Sequence, residues 1–170
     1  MTPLRRWLEC CFYRDMQTTT YIDRTIDQER TIDQLNSFLR GELAASESYR
    51  DMIARTDSPA QVEILEQCAR SHEERARLLG LEIRRRGGQT DSTRPVWSSV
   101  VAFVEDGVSV LGCKAAMFVL EEGERRRSNE YRRGFDNLDA AARHFIDVEV
   151  LPDQIETQDA MAVLKELPLS

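Results

Sequence analysis

"GELAASESYR" (41–50) and "GERRRSNEYR" (123–132) are one frame written twice, 82 positions apart (41 to 123). Each copy opens on Gly-Glu, has a serine four places after the glutamate, and closes on Tyr-Arg. In a helix, the Glu and the Tyr seven places later lie two turns apart on one face. Around the first copy, Leu35, Phe38, Ala45, Tyr49 and Met52 recur at helical spacing, so Glu42 falls on the stripe that faces a core. A carboxylate in that place is costly unless it is paired. Its return at Glu124 makes it a property of a duplicated unit. At the same offset the second helices align as well, without a gap: Ile64 falls on Ile146 and Glu74 on Glu156.

The helices that carry these frames are well punctuated. Thr31 and Gln34 can form a capping box that starts the first helix, which then runs to Ile53. Ser58, Pro59 and Gln61 supply the start of the second, and Gly87-Gly88 its end. Pro95 can start a shorter helix over 96–111, with Val100, Phe103 and Val104 at helical spacing, broken by Gly112. A third long helix spans about 114–133 and closes at Gly134. "DNLD" (136–139) caps a last helix that reaches close to Leu167, and Pro152 inside it should bend it. No segment alternates long enough to compete as a strand.

This is an all-α reading with two antiparallel hairpins. The 25 or so residues joining helices two and three, with their short helix, form a long crossover, the wiring of a ferritin-like four-helix bundle. Residues 31–170 make up that bundle. Residues 1–30 are an arm in which Leu4, Trp7, Leu8, Cys11 and Phe12 share one side of a short helix. The arm packs on the bundle or a second subunit, or contacts a membrane surface through residues 1–15 with help from Arg5 and Arg6; the packing reading is preferred. Met16 is an alternative start that would make the arm dispensable.

Composition narrows the function classes. The chain has 170 residues, 31% of them charged, and a net charge of −7. The acidic balance argues against nonspecific nucleic-acid binding, which needs Lys and Arg to displace phosphate counterions. The runs Arg84–Arg86 and Arg125–Arg127 are read as solvated helix faces. Four cysteines make neither a CxxC pair nor a zinc spacing, and no signal peptide or membrane-length apolar run is present. The expected compartment is the cytoplasm.

A duplicated hairpin with an inward Glu in each half is the skeleton of a carboxylate-bridged di-metal centre. Such a centre takes one Glu from each first helix and a Glu-x-x-His from each second, because residues three apart share a face. Glu42 and Glu124 meet the first requirement. His72 lies about as far after the hairpin turn as Glu42 lies before it, so the two should meet at one height. The rest of the pattern is missing. Arg75 stands three places after His72, the repeat-related positions hold Gln154 and Thr157, and His144 lies ten places before Gln154. Two readings follow. In one, Glu42, His72 and Glu124, helped by Glu149 or Glu156, bind a single iron, manganese or zinc ion. In the other, Arg75 and His72 pair with Glu42 and Glu124, while Tyr49, Tyr131, Gln154 and Thr157 hydrogen-bond the remainder. The second is preferred, because a satisfied network is easier to sustain than a site short of ligands.

"LNSFLRGELAASESYRDMI", "SHEERARLLGLEIRRRGG", "LGCKAAMFVLEEGERRRSNEYRRGF" and "VLPDQIETQDAM" together resemble the ferritin-like bacterial proteins of unknown function. The resemblance covers about 31–167 and implies the hairpin–crossover–hairpin fold. It does not carry over iron storage or di-iron redox chemistry, since this chain departs from the metal pattern at Arg75 and Thr157. The expected function is therefore a non-enzymatic bundle, a homodimer or larger assembly, with a structural, stress-related or partner-binding role. A metal-binding oxidoreductase is the alternative.

Overall fold

The computed structural model describes residues 3–91 and 108–166, with side chains over 25–91 and 116–164. Among the described residues all regular structure is helical. The elements are α1 (Pro3–Ile53), α2 (Pro59–Arg85), α3 (Val108–Gly134), a 3₁₀ turn (Phe135–Asn137), α4 (Ala140–Phe145), a π-helical turn (Ile146–Val150) and α5 (Leu151–Glu166). The last three follow one another without leaving helical backbone angles, and so form one rod.

Helix α1 does not start at Thr31. Its backbone is helical from Pro3, so the arm and the first bundle helix are one continuous element. The expected capping pair is used elsewhere. The Thr31 hydroxyl accepts from the Asp139 amide at 3.0 Å, and the Gln34 side chain accepts from Asn137 Nδ2 at 2.9 Å. Both residues thus pin the turn between α3 and α4 against the side of α1. Gln28 Nε2 donates to the Arg86 carbonyl at the end of α2, so the residues preceding it run on past that end. The expected contacts of residues 1–15 lie outside the described side chains.

Helix α2 begins as read, with Ser58 as N-cap and Pro59 first, though the Ser58 side chain makes no cap bond. Its end is a Schellman motif: Gly88 N–H reaches back to the Ile83 carbonyl at 3.0 Å and Gly87 N–H to Arg84 at 2.9 Å. Gly87 supplies the left-handed residue, with φ +77°. The chain then stays on α1, where Asn36 bonds Gln89 and Asp91 and Arg40 pairs with Asp91 at 2.8 Å. The expected helix beginning at Pro95 lies largely outside the described residues. Gly112, expected to break it, sits inside α3, because a lone glycine costs a helix only about 1 kcal/mol.

Helix α1 packs along α2 and α3 along α5, while α2 meets α5 and α1 meets α3, so four rods surround one interior. Two apolar clusters fill it. Leu35, Phe38, Leu79, Ile83, Ile146 and Val150 lie toward one end, and Met52, Leu65, Cys68, Met117, Met161 and Leu164 toward the other. Between them on every rod comes a buried polar residue: Glu42, His72 with Arg75, Glu124, and Gln154 with Thr157. No described helix is long and apolar enough to cross a membrane.

Candidate functional site

The polar layer holds two carboxylates, one from each copy of the repeated frame. Their tyrosines cross over. Tyr131 Oη donates to Glu42 Oε1 at 2.8 Å, and Tyr49 Oη donates to Glu124 Oε1 at 2.9 Å, so each half supplies the hydroxyl that the other half's glutamate needs. Two turns of helix separate Glu from Tyr within a frame, and antiparallel packing of the frames then brings each Tyr level with the opposite Glu.

His72 lies between the carboxylates. Nδ1 is 2.7 Å from Glu42 Oε2 and Nε2 is 3.0 Å from Glu124 Oε1. Arg75, one turn along, donates from Nε to the same Glu42 oxygen at 2.9 Å, and from Nη1 to Ser71 Oγ at 2.7 Å and Thr157 Oγ1 at 3.1 Å. Its Nη2 is 2.7 Å from His72 Nδ1. That ring nitrogen can therefore donate to Glu42 or accept from Arg75, but not both. Gln154 Nε2 donates to Glu124 Oε2 at 2.8 Å. Glu42, His72, Arg75 and Gln154 expose no surface at all.

Charge explains the electrostatics. Burial pushes the Glu42 carboxyl up, but the charges of Arg75, His72 and Arg127 outweigh it and hold the group far below the usual carboxylate range. Glu124 is also lowered against its burial, chiefly by the His72 hydrogen bond and charge, with Gln154 adding to them. Tyr49 and Tyr131 are both raised well above the usual phenol value, by burial and by the glutamate each one faces. Burial and Glu124 push the Cys68 thiol up to about 11, the opposite of what a thiolate nucleophile requires.

The structure thus brings together Glu42, His72, Glu124, Arg75, Tyr49, Tyr131, Gln154 and Thr157, as the sequence spacing led one to expect. It does not bring in Glu149 or Glu156, which are exposed, nor His144, also exposed on α4. Two participants were missed. Arg127, assigned to a solvated face, is buried, with Nε 3.5 Å from Glu42 Oε1. Its position was readable: three places after Glu124 and four before Tyr131, it shares their face. Ser71, which braces Arg75, carries no comparable signal.

The donor set does not fit a pair of bridged cations. Every carboxylate oxygen in the layer already accepts from a tyrosine, arginine, histidine or glutamine. The guanidinium of Arg75 lies against Glu42, where a cation would have to sit. Among the described residues no group of three or more His, Cys, Asp or Glu is arranged to hold a metal ion. No family model, curated protein or solved structure matches the chain.

Proposed function

We propose that the chain is a ferritin-like helical bundle without a catalytic centre, serving a structural or partner-binding role as a homodimer or larger assembly. In this reading residues 92–107 form the crossover from α2 to α3, and fixed side-chain cations stand in for the metal ions of a di-metal ancestor. One observation carries it: Arg75 Nε is 2.9 Å from Glu42 Oε2, inside a layer where Glu42 and Arg75 expose nothing. A buried carboxylate neutralised by an arginine has no need of a divalent cation and competes poorly for one. A second reading, a single iron or manganese ion at Glu42, His72 and Glu124 with residual redox activity, is favoured by the placement of His72 within 3.0 Å of both carboxylates.

Elemental analysis separates the two. Protein made in iron- and manganese-supplemented medium, beside its Glu42→Ala variant, is expected to carry less than a tenth of an equivalent of either metal in both forms. A stoichiometric metal in the parent, lost in the variant, would establish the second reading.

A further inference from the structure

The two hairpins do not repeat as evenly as their first helices suggest. Among the buried positions of α2, the series Gln61, Leu65, Cys68, His72, Arg75 and Leu79 steps by four, three, four, three and four, with Ala69, Ala76 and Gly80 buried beside it, the alternation of a regular α-helix with one inward face. On the last rod the buried positions Ala142, Ile146, Val150, Gln154, Thr157 and Met161 step by four, four, four, three and four. One step is a residue longer. The equivalence therefore changes along the rod: Ala142 and Ile146 match Gln61 and Leu65 at an offset of 81 (61 to 142), whereas Val150, Gln154 and Thr157 match Cys68, His72 and Arg75 at 82 (72 to 154). In this register Ile146 is the counterpart of Leu65 rather than of Ile64, one residue off the gap-free alignment.

The change of offset falls between Ile146 and Val150, the bounds of the π-helical turn, in which Leu151 N–H bonds the Ile146 carbonyl five residues back. Such a turn accommodates one extra residue in a helix. In an uninterrupted α-helix that residue would rotate everything after it by about 100°. Neither end of the rod is free to rotate. Before the turn, Asp139 is held by Arg86 and Thr31. After it, Gln154 is held by Glu124 and Thr157 by Arg75. Asp147, Val148 and Glu149 face solvent, so the surplus is carried outside the core.

We infer that the π turn is a single-residue insertion in the second hairpin, and that it sets the register at which Gln154 and Thr157 enter the charge layer. Pro152 is then tolerated by the turn rather than the cause of it. With no N–H to give, a proline fits where the ladder is already widened.

Deletion scanning in full-length protein tests this. Val148 and Glu149 are deleted singly in a Pro152→Ala background, so that a proline does not burden the restored α-helix, and Glu66, exposed at the matching level of α2, is deleted as the control. At least one of the first two deletions should unfold cooperatively within about 5 °C of Pro152→Ala alone. It should also keep two of the four tyrosines un-ionised above pH 10 until the chain unfolds, the signature of intact Tyr49 and Tyr131 contacts. The Glu66 deletion should lose both properties. Loss of folding or of the protected tyrosines in both α4–α5 deletions overturns the inference, as does equal tolerance of the Glu66 deletion.

Discussion

Glu42 and Glu124 occupy equivalent places in the two hairpins, yet they are neutralised by different means. Each receives a tyrosine hydroxyl from the opposite half, and the two bonds differ by only 0.1 Å, at 2.8 and 2.9 Å. Beyond that the symmetry ends. Glu42 faces the Arg75 guanidinium at 2.9 Å and Arg127 at 3.5 Å. Glu124 has a share of His72 and the neutral amide of Gln154. The repeated frame places two like charges on either side of His72 in a buried layer, an arrangement that costs several kcal/mol per ion if left alone. Positive charge on one side relieves it. Only Glu42 has arginines against it, and Glu124 is served by His72 together with the hydrogen bonds of Tyr49 and Gln154.

The largest test of that asymmetry removes the principal cation. Arg75→Met strips Glu42 of its closest full charge while keeping the volume, and is expected to cost about 3–5 kcal/mol in urea unfolding at pH 7. Glu124→Gln keeps the shape and an acceptor for Tyr49 and His72, and should cost no more than about 1–2 kcal/mol. Combining Glu42→Gln with Arg75→Met should recover part of the loss, since the uncompensated charge is gone. Equal costs for the two single variants would show that the arginine is not what balances the layer.

The pH dependence sharpens the same contrast. Glu42 is depressed below its ordinary 4.5 in the folded state, so the stability it contributes is fully present above that value and is lost as pH falls through and below it. Glu124 is depressed in the same sense and adds to the slope. Urea midpoints should therefore fall between pH 6 and pH 3. In Arg75→Met the burial of Glu42 is opposed by less positive charge, its carboxyl rises, and the fall should be shallower. Exposed pairs such as Glu74–Arg77 contribute alike in both proteins, so the difference in slope belongs to the layer. An identical slope would detach Arg75 from the titration of Glu42.

Much of this layer was legible because helical geometry makes it so. Spacings of three, four and seven placed Glu42, His72, Arg75, Tyr49 and Tyr131 on inward faces, and "GG" and "DNLD" fixed two helix ends through backbone chemistry that needs no tertiary context. What was not legible depended on the other rods. The start of α1 could not be read at Thr31, because a threonine that caps its own helix and one that bonds a distant turn look alike in sequence. Arg127 was hidden by its neighbours: in Arg125-Arg126-Arg127 only the register against Glu124 marks the buried one. The extra residue before Val150 was masked by an isoleucine at both 64 and 146, which made a shifted alignment look exact.

The smallest effect is expected at the glycines that open the two frames, and it should have opposite signs. A Cβ built at Gly41 would collide with the Arg127 guanidinium, whereas at Gly123 it meets nothing within 4 Å among the described residues. The end of an arginine side chain usually gives way cheaply, but Arg127 is buried and faces Glu42, so displacing it weakens a partner of that carboxylate. Gly41→Ala should therefore lose about 1 kcal/mol or more, the helix-propensity gain notwithstanding. Gly123→Ala should gain up to about 1 kcal/mol, because no described residue opposes the propensity of alanine in a helix interior. Chemical denaturation of the pair reads both signs at once. Two gains would mean that Arg127 moves freely and that Arg75 alone balances Glu42; two losses would mean that the second frame is as tightly packed as the first.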